Sequence, residues 1–214
     1  MKHICLIILT PITLLCLTIK EAKSSQSNEF PLVEITDCKN IKVDLEYKKN
    51  TNITGRALYP KGARAYLTPQ ALKMLQNAAK RLEAKGYGIT VLDAWRPPLA
   101  TARLWNKAFE LGLKEFYCPP SLSGHTRGVA VDVTLHLINN PNTRIPMPTP
   151  FDSTNCTKKA PSELKENSKI LKASMKSSGF VSNPKEWWHF ELPNATSYPI
   201  IEGKIKRSMP KMVY

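Results

Sequence analysis

Residues 123–134, which read Ser-Gly-His-Thr-Arg-Gly-Val-Ala-Val-Asp-Val-Thr, constrain the fold of this chain more than any other stretch. From residue 129 onward, large apolar residues alternate with small or polar ones, which is the period of a half-buried β-strand. Asp132 falls on the polar side of that strand, although strands are depleted in Asp and a buried carboxylate needs a partner. Gly124 and Gly128 flank His125 and allow a bent backbone that turns the imidazole towards the carboxylate. The stretch therefore predicts a strand that brings an imidazole and a carboxylate together.

A third metal ligand is available in the segment Glu186-Trp187-Trp188-His189. Two imidazole ligands and one carboxylate ligand, with a glutamate nearby that is not a ligand, are the composition of a catalytic zinc site. Such a site keeps one coordination position for water. We therefore expect one Zn²⁺ ion held by His125, Asp132 and His189, with Glu186 as the general base. A lone His before a strand is usually a hydrogen-bonded turn residue, but the four residues together outweigh that interpretation.

The length and composition indicate one globular domain, because 214 residues of which 42% are hydrophobic can bury a sizeable core. Helical and extended patterns interleave along the chain, which is typical of an α+β fold. We expect a compact domain with a small, mainly antiparallel sheet, packed by about three helices and carrying the zinc site in a cleft. The predicted strands are 41–45, 89–92 and 187–192, and the predicted helices begin at Thr68-Pro69, Pro97-Pro98 and Ser162. In the second helix, Trp105 and Phe109 are expected in the core.

Residues 137–161 are dense in Pro, Asn and Thr and predict a long loop, which in a compact domain is often functional. This loop contains Asp152 and is long enough to cover the site. Glu186 and His189 are an odd number of residues apart, so a regular strand would point their side chains to opposite sides. Glu186 is therefore expected in the turn after Pro184, curling back towards the metal.

The same residues carry a resemblance to a known family. Ser-x-His-x-x-Gly-x-Ala-x-Asp at 123–132 and Glu-x-Trp-His at 186–189 resemble the D-alanyl-D-alanine dipeptidases, which include the vancomycin-resistance enzymes. The resemblance covers about residues 32–191. The metal motifs are shared with related zinc carboxypeptidases and cell-wall peptidases, whereas Asp-Ala-Trp-Arg-Pro and Thr-Pro-Phe-Asp are more specific to the dipeptidases. Further matching stretches, in the family's order, are 52–56, 63–67, 93–97 and 149–152.

The resemblance implies zinc-dependent hydrolysis of the free dipeptide D-Ala-D-Ala to two D-alanines. Arg96 would steady the oxyanion of the tetrahedral intermediate, although an ordinary ion pair with Asp93 is the alternative. Asp152 would bind the substrate ammonium, and Ser123 would hydrogen-bond the substrate carboxylate or backbone.

Two other functions remain open from the sequence. One is a zinc carboxypeptidase or endopeptidase that acts on peptidoglycan stem peptides. The other is a non-catalytic, zinc-containing module that binds the cell wall. The presence of both Glu186 and Arg96 argues against such a module, because a binding protein could discard them.

The first 24 residues predict a secretory signal peptide, which leaves residues 25–214 as an exported periplasmic or secreted domain. The apolar run at 4–19 is short for a membrane span and Pro11 interrupts it, so no stable span is expected after cleavage. Of the cysteines that remain, Cys118 and Cys156 flank the metal segment and are the preferred disulfide pair.

The chain is strongly basic, with a formal net charge of +14 at pH 7. A basic exported protein is attracted to anionic polymers and surfaces of the cell envelope. No nucleic-acid partner is expected, because the basic residues are scattered and no nucleic-acid-binding motif accompanies them. From Pro193 the chain ends in a basic tail without a clear structural signal.

Overall fold

The computed structural model describes residues 31–154 and 160–202. The predicted signal peptide, Cys156 and the last part of the basic tail lie outside the described residues. Within the described part of the chain, Cys118 is exposed and unpaired. No helix among these residues has the length and apolar character needed to cross a membrane.

The strands of the described residues are β1 (Val33–Glu34), β2 (Ile41–Val43), β3 (Tyr66–Leu67), β4 (Tyr87–Asp93), β5 (Ala130–Leu137), β6 (Asn140–Arg144), β7 (Val181–Ser182) and β8 (His189–Glu191). The main sheet has six of these strands and is mainly antiparallel, as predicted. Five strands follow the order β2-β4-β5-β8-β7, and β6 pairs with β5 outside this path. Only β2 and β4 run parallel to each other in this sheet. The other two strands, β1 and β3, form a separate antiparallel pair.

Three α-helices accompany the sheet: α1 (Pro69–Glu83), α2 (Pro98–Glu110) and α3 (Ser162–Lys176). The Thr68 side chain caps α1 by accepting a hydrogen bond from the Ala71 amide, and Pro69 occupies the first helical position. Gly86 and Gly179, which follow α1 and α3, have φ angles of +81° and +105°. Such left-handed backbone favours glycine, which explains why both helical patterns end there.

The two faces of β5 have different chemistry. Val131, Val133 and Leu135 belong to the hydrophobic core together with buried leucines of α1 and α3. The alternate residues, among them Asp132 and His136, lie on the opposite face. The alternation of the sequence thus places the apolar residues of β5 in the core with α1 and α3, and its polar residues on the opposite face of the sheet.

Four sequence-based expectations are corrected by the structure. β5 is buried on both faces rather than half-buried, because its polar residues find partners there, as in the hydrogen bond between Thr90 and His136. Residues 137–161 are not all loop, since β6 pairs with the end of β5. The last predicted strand is shorter, beginning at His189. Phe109 is 64% exposed rather than in the core, because α2 buries the stripe of Ala100, Thr101, Leu104 and Ala108, and Phe109 lies beside it.

Candidate active site

The three expected metal ligands come from adjacent elements on the polar side of the sheet. Asp132 lies in β5, and His189 opens β8 directly opposite it in the antiparallel register. His125 lies in a 3₁₀ turn, His125–Arg127, that immediately precedes β5. Gly128 closes that turn with a φ of +66°, a conformation that glycine adopts without strain. The strand pairing and the turn together bring the two imidazoles to the carboxylate.

The three ligand atoms form a small triangle. His125 Nε2 lies 3.2 Å from His189 Nδ1 and 3.4 Å from Asp132 Oδ1, and His189 Nδ1 lies 2.9 Å from Asp132 Oδ1. A tetrahedral zinc ion with ligands at 2.0–2.2 Å would place its ligand atoms about 3.4 Å apart. The triangle therefore needs only a slight expansion to accept such an ion.

Both imidazoles are oriented by partners on their other nitrogen. His125 Nδ1 lies 2.7 Å from the carbonyl oxygen of Ala94, to which it can donate, so that its Nε2 lone pair faces the site. His189 Nε2 lies 3.6 Å from Glu191 Oε2, so that Nδ1 is the atom that faces Asp132. Metal-binding histidines commonly donate their second N–H to a carbonyl or a carboxylate in this way.

The protonation of the cluster indicates that it attracts a cation. Burial alone would raise the pKa of Asp132, but the two imidazoles outweigh burial and hold this pKa well below its ordinary value. Burial alone would lower the pKa of His189, but Asp132, Glu191 and Glu186 raise it to about 10. Without a metal, the anionic groups thus draw a proton onto His189. A divalent cation bound there would satisfy the same carboxylates, and the donor set fits zinc.

Glu186 lies outside regular structure in the bend before β8, as predicted from its odd spacing to His189. Its Oε2 atom is 3.9 Å from His189 Nδ1, so the carboxylate reaches the edge of the ligand triangle. Burial raises the pKa of Glu186 above its ordinary value, with Asp132 adding to the effect and His189 opposing it. A carboxylate with a raised pKa is a stronger base than an exposed one.

Arg96 follows β4 and is held by three groups. Its Nε donates to Asp93 Oδ2 at 2.9 Å, its Nη2 lies 3.8 Å from Asp132 Oδ2, and its guanidinium lies 4.8 Å from the centre of the Tyr47 ring. The ion pair with Asp93, which the sequence left as an alternative role, is therefore present. Arg96 nevertheless also lines the cavity, so the pair orients the guanidinium towards the site.

Asp152 lines the same cavity and lies in a turn with a φ of +61°. Its Oδ2 accepts a hydrogen bond of 3.3 Å from the Tyr47 hydroxyl. Burial raises the pKa of Asp152 to about 6, with Asp132 and Glu186 adding to this effect and Arg96 opposing it. A cationic group beside Asp152 would therefore stabilise its ionised form.

One cavity of about 450 Å³ contains all seven residues expected from the sequence. They are Arg96, Ser123, His125, Asp132, Asp152, Glu186 and His189. Its volume is within the usual range for small-molecule sites.

The sequence did not reveal two supporting residues, Tyr47 and Glu191, and it gave Asp93 only as an ion-pair partner of Arg96. Tyr47 is wholly within the core and touches both Arg96 and Asp152. Asp93 is fully buried and also accepts a hydrogen bond of 2.6 Å from the Tyr59 hydroxyl. Glu191 is two residues beyond His189 in the same strand, and this spacing could have identified it as a neighbour on the same face.

Comparisons with known proteins identify the family of the chain. The family model for peptidase M15, described as D-ala-D-ala dipeptidase, matches residues 28–208. The D-alanyl-D-alanine dipeptidase of Escherichia coli (strain K12) is 32% identical over 168 residues, which cover 76% of this chain and 84% of that protein. The D-alanyl-D-alanine dipeptidase of Enterococcus faecium is 28% identical over 183 residues, which cover 74% of this chain and 90% of that protein.

A solved structure of the LD-carboxypeptidase LdcB aligns over 62% of each chain with a TM-score of 0.42 and 14% identity, which is too distant to bear on activity. The family match spans most of the chain, and the relatives align over most of their own length. The chain therefore belongs to the peptidase M15 family of D-ala-D-ala dipeptidases, and the protein is a metallopeptidase.

Proposed function

We propose that this protein uses one zinc ion per chain to hydrolyse the free dipeptide D-Ala-D-Ala to two D-alanines. The observation that carries the proposal is the triangle of His125 Nε2, Asp132 Oδ1 and His189 Nδ1 beside the carboxylate of Glu186. The names of the relatives supply the substrate class.

Neutral His125 and His189 with ionised Asp132 would hold the ion and leave one positive charge uncompensated. A zinc ion there would supply Lewis acidity, which would lower the pKa of water to near neutrality. Glu186 accepts the proton of the attacking water and passes it to the amine that leaves when the peptide bond breaks. Glu186 lies at the edge of the triangle of ligand atoms, which suits this role because its carboxylate oxygens can accept a proton instead of binding the metal.

Arg96 stabilises the negative charge that develops on the carbonyl oxygen of the substrate. Its guanidinium remains charged at any relevant pH, and its Nε is already held by Asp93. An immobilised donor needs no rearrangement as the charge develops, which is the basis of oxyanion stabilisation. The buried Tyr47 ring below the guanidinium fixes its plane.

Asp152 and Ser123 position the two ends of the dipeptide. Burial raises the pKa of Asp152 by more than Arg96 lowers it, and a substrate ammonium beside the carboxylate would favour the ionised form. Ser123, which is buried at the wall of the cavity, hydrogen-bonds the substrate carboxylate or backbone.

A carboxypeptidase or endopeptidase that acts on longer peptides would need the amine end of the site to be open. We assign the half-buried carboxylate of Asp152, which accepts a hydrogen bond from the Tyr47 hydroxyl, to that end of the substrate. An acylated amine would not provide the ammonium that this carboxylate would pair with, so the free dipeptide would be the better substrate.

The proposal is tested by measuring D-alanine released from D-Ala-D-Ala by the purified protein, with L-Ala-L-Ala as the stereochemical control. We expect turnover of the D,D-dipeptide and little or none of the L,L-dipeptide. Failure to hydrolyse D-Ala-D-Ala in the presence of zinc would refute the substrate assignment. The predicted export would be tested separately by N-terminal sequencing of the protein recovered from culture fractions.

A further inference from the structure

Two segments, α1 with the turn that follows it and α3, carry most of the net positive charge of the described residues. Residues 69–85 and 162–176 contain eight Lys and Arg residues but three Asp and Glu residues, a net of five positive charges. All other described residues together contain 14 Lys and Arg against 12 Asp and Glu residues, a net of two. Among the described residues, the excess charge is therefore concentrated on these two segments.

The basic side chains share one side of the helical layer, which we call the basic helical face. The four lysines of α3 recur every four, three and four residues, which places them on one stripe of the helix. α1 packs against α3, and the basic residues of α1 and of the turn that follows it are exposed on the same pair of helices. The face consists of Lys73, Lys80, Arg81 and Lys85 with Lys165, Lys169, Lys172 and Lys176.

Apart from Lys165, which has a partner of its own, the face is little neutralised by acidic side chains among the described residues. Glu166 pairs with Lys169 at 3.0 Å, but both side chains are more than half exposed, and such pairs are weak. Glu83 at the end of α1 pairs with Lys39, which lies outside the face. The positive potential of the other seven basic residues is therefore available to an external partner.

The basic helical face and the catalytic cavity lie on opposite sides of the sheet. The buried leucines of α1 and α3 pack with Val131 and Val133, whereas Asp132 projects from the other face of β5. No residue of either helix lines the cavity. A partner bound to the helices would consequently leave the mouth of the cavity open.

The chemistry of the face fits a broad anionic surface rather than a single ligand. Seven of its eight basic residues are lysines, which act as flexible point charges and lack the fork that recognises one phosphate bidentately. None of the large exposed apolar side chains among the described residues lies on α1 or α3, so nothing there would insert between lipid tails. Aromatic platforms for stacked bases are also missing from the exposed parts of these two helices.

We infer that the basic helical face binds the headgroups of anionic phospholipids, holding the enzyme on a membrane surface with its cavity turned away. The attraction is electrostatic, so it should weaken as salt shortens the screening length from about 10 Å at 0.1 M to about 3 Å at 1 M. This inference does not depend on the substrate, because the face and the cavity are separate.

The test is co-sedimentation of the full chain with vesicles of phosphatidylcholine, alone or mixed with phosphatidylglycerol. The test variant carries K165Q, K169Q, K172Q and K176Q. The matched control carries K48Q, K61Q, K107Q and K114Q, which remove the same charge from residues outside α1 and α3. Because the N-terminal segment is the same in every protein, differences between variants report the substituted lysines.

We expect the unsubstituted protein to bind the mixed vesicles more tightly than phosphatidylcholine vesicles, and to be released by salt. The α3 variant should bind at least about tenfold more weakly, whereas the control should lose much less. Hydrolysis of a soluble dipeptide should be unchanged in the α3 variant. Equal weakening in the two variants, or binding to a soluble polyanion such as nucleic acid but not to vesicles, would overturn the inference.

Discussion

The charge of Asp152 should determine how strongly the enzyme prefers a free dipeptide over one whose amine is acylated. Its pKa of about 6 compares with an ordinary Asp value of about 3.9, so its surroundings, with burial as the largest cause, make the ionised form about 3 kcal/mol less favourable than in water. A substrate ammonium beside the carboxylate offsets this cost, whereas an N-acetyl group leaves it in place. The charge alone should therefore make kcat/KM about 100-fold higher for the free dipeptide than for the N-acetylated one. Loss of the hydrogen bonds between the ammonium and Asp152 can extend this preference to about 10⁴-fold.

The informative substitution is Asp152→Asn. Asn keeps the size of the side chain and tolerates the left-handed backbone at this position, where φ is +61°. The variant should hydrolyse D-Ala-D-Ala with a raised KM, because the ammonium contact exists in both the ground and the transition state. Its preference for the free over the N-acetylated dipeptide should shrink by about 100-fold.

One assay serves both substrates, because D-Ala-D-Ala and N-acetyl-D-Ala-D-Ala each release D-alanine. Glu115→Gln is the matched control, since Glu115 is an exposed carboxylate that lines the same cavity. The control should keep the preference of the unsubstituted enzyme. Equal kcat/KM for the free and acetylated substrates in the unsubstituted enzyme would refute the reasoning and favour a carboxypeptidase.

Three further substitutions separate the proposed roles within the site. Asp132→Ala should lower both zinc content and activity, and full zinc occupancy in that variant would remove Asp132 from the ligand set. Glu186→Gln should retain zinc but lose about 10²–10⁴ in kcat, because an amide cannot accept the proton of water; near-normal turnover would exclude this role. Arg96→Lys should lose about 10²–10³ in kcat, because a point-charge ammonium cannot reproduce the planar guanidinium, whose Nε binds Asp93 while its other nitrogens remain for the substrate. A change confined to KM would instead make Arg96 an anchor for the substrate carboxylate.

The elements with strong local signals could be predicted from the sequence. The alternation after residue 129 marked β5, and Thr68, Pro69 and Gly86 marked the two ends of α1. The position of Glu186 also followed from a local argument, because its spacing to His189 excluded a regular strand through both. These inferences succeeded because each depended on backbone geometry over a few residues.

The missed features depend on contacts between distant parts of the chain. The sequence of β6 predicts a loop because it contains Pro141. An edge strand tolerates a proline whose nitrogen faces away from the partner strand, because no ladder hydrogen bond is lost there. Tyr47 follows Glu46 in an unremarkable turn, and only the fold brings it to Arg96 and Asp152. The tautomer of His189 likewise depends on Glu191, which the strand places beside its Nε2 atom.

The central claim is that zinc bound by His125, Asp132 and His189 is required for cleavage of D-Ala-D-Ala. The most direct measurement is the rate of D-alanine release after removal of metal by a chelator and during stepwise return of Zn²⁺, with bound zinc measured in the same samples. We expect the metal-free protein to be inactive, and activity to rise in proportion to zinc up to one ion per chain. Full activity in the metal-free protein, or one bound zinc per chain without release of D-alanine, would contradict the account.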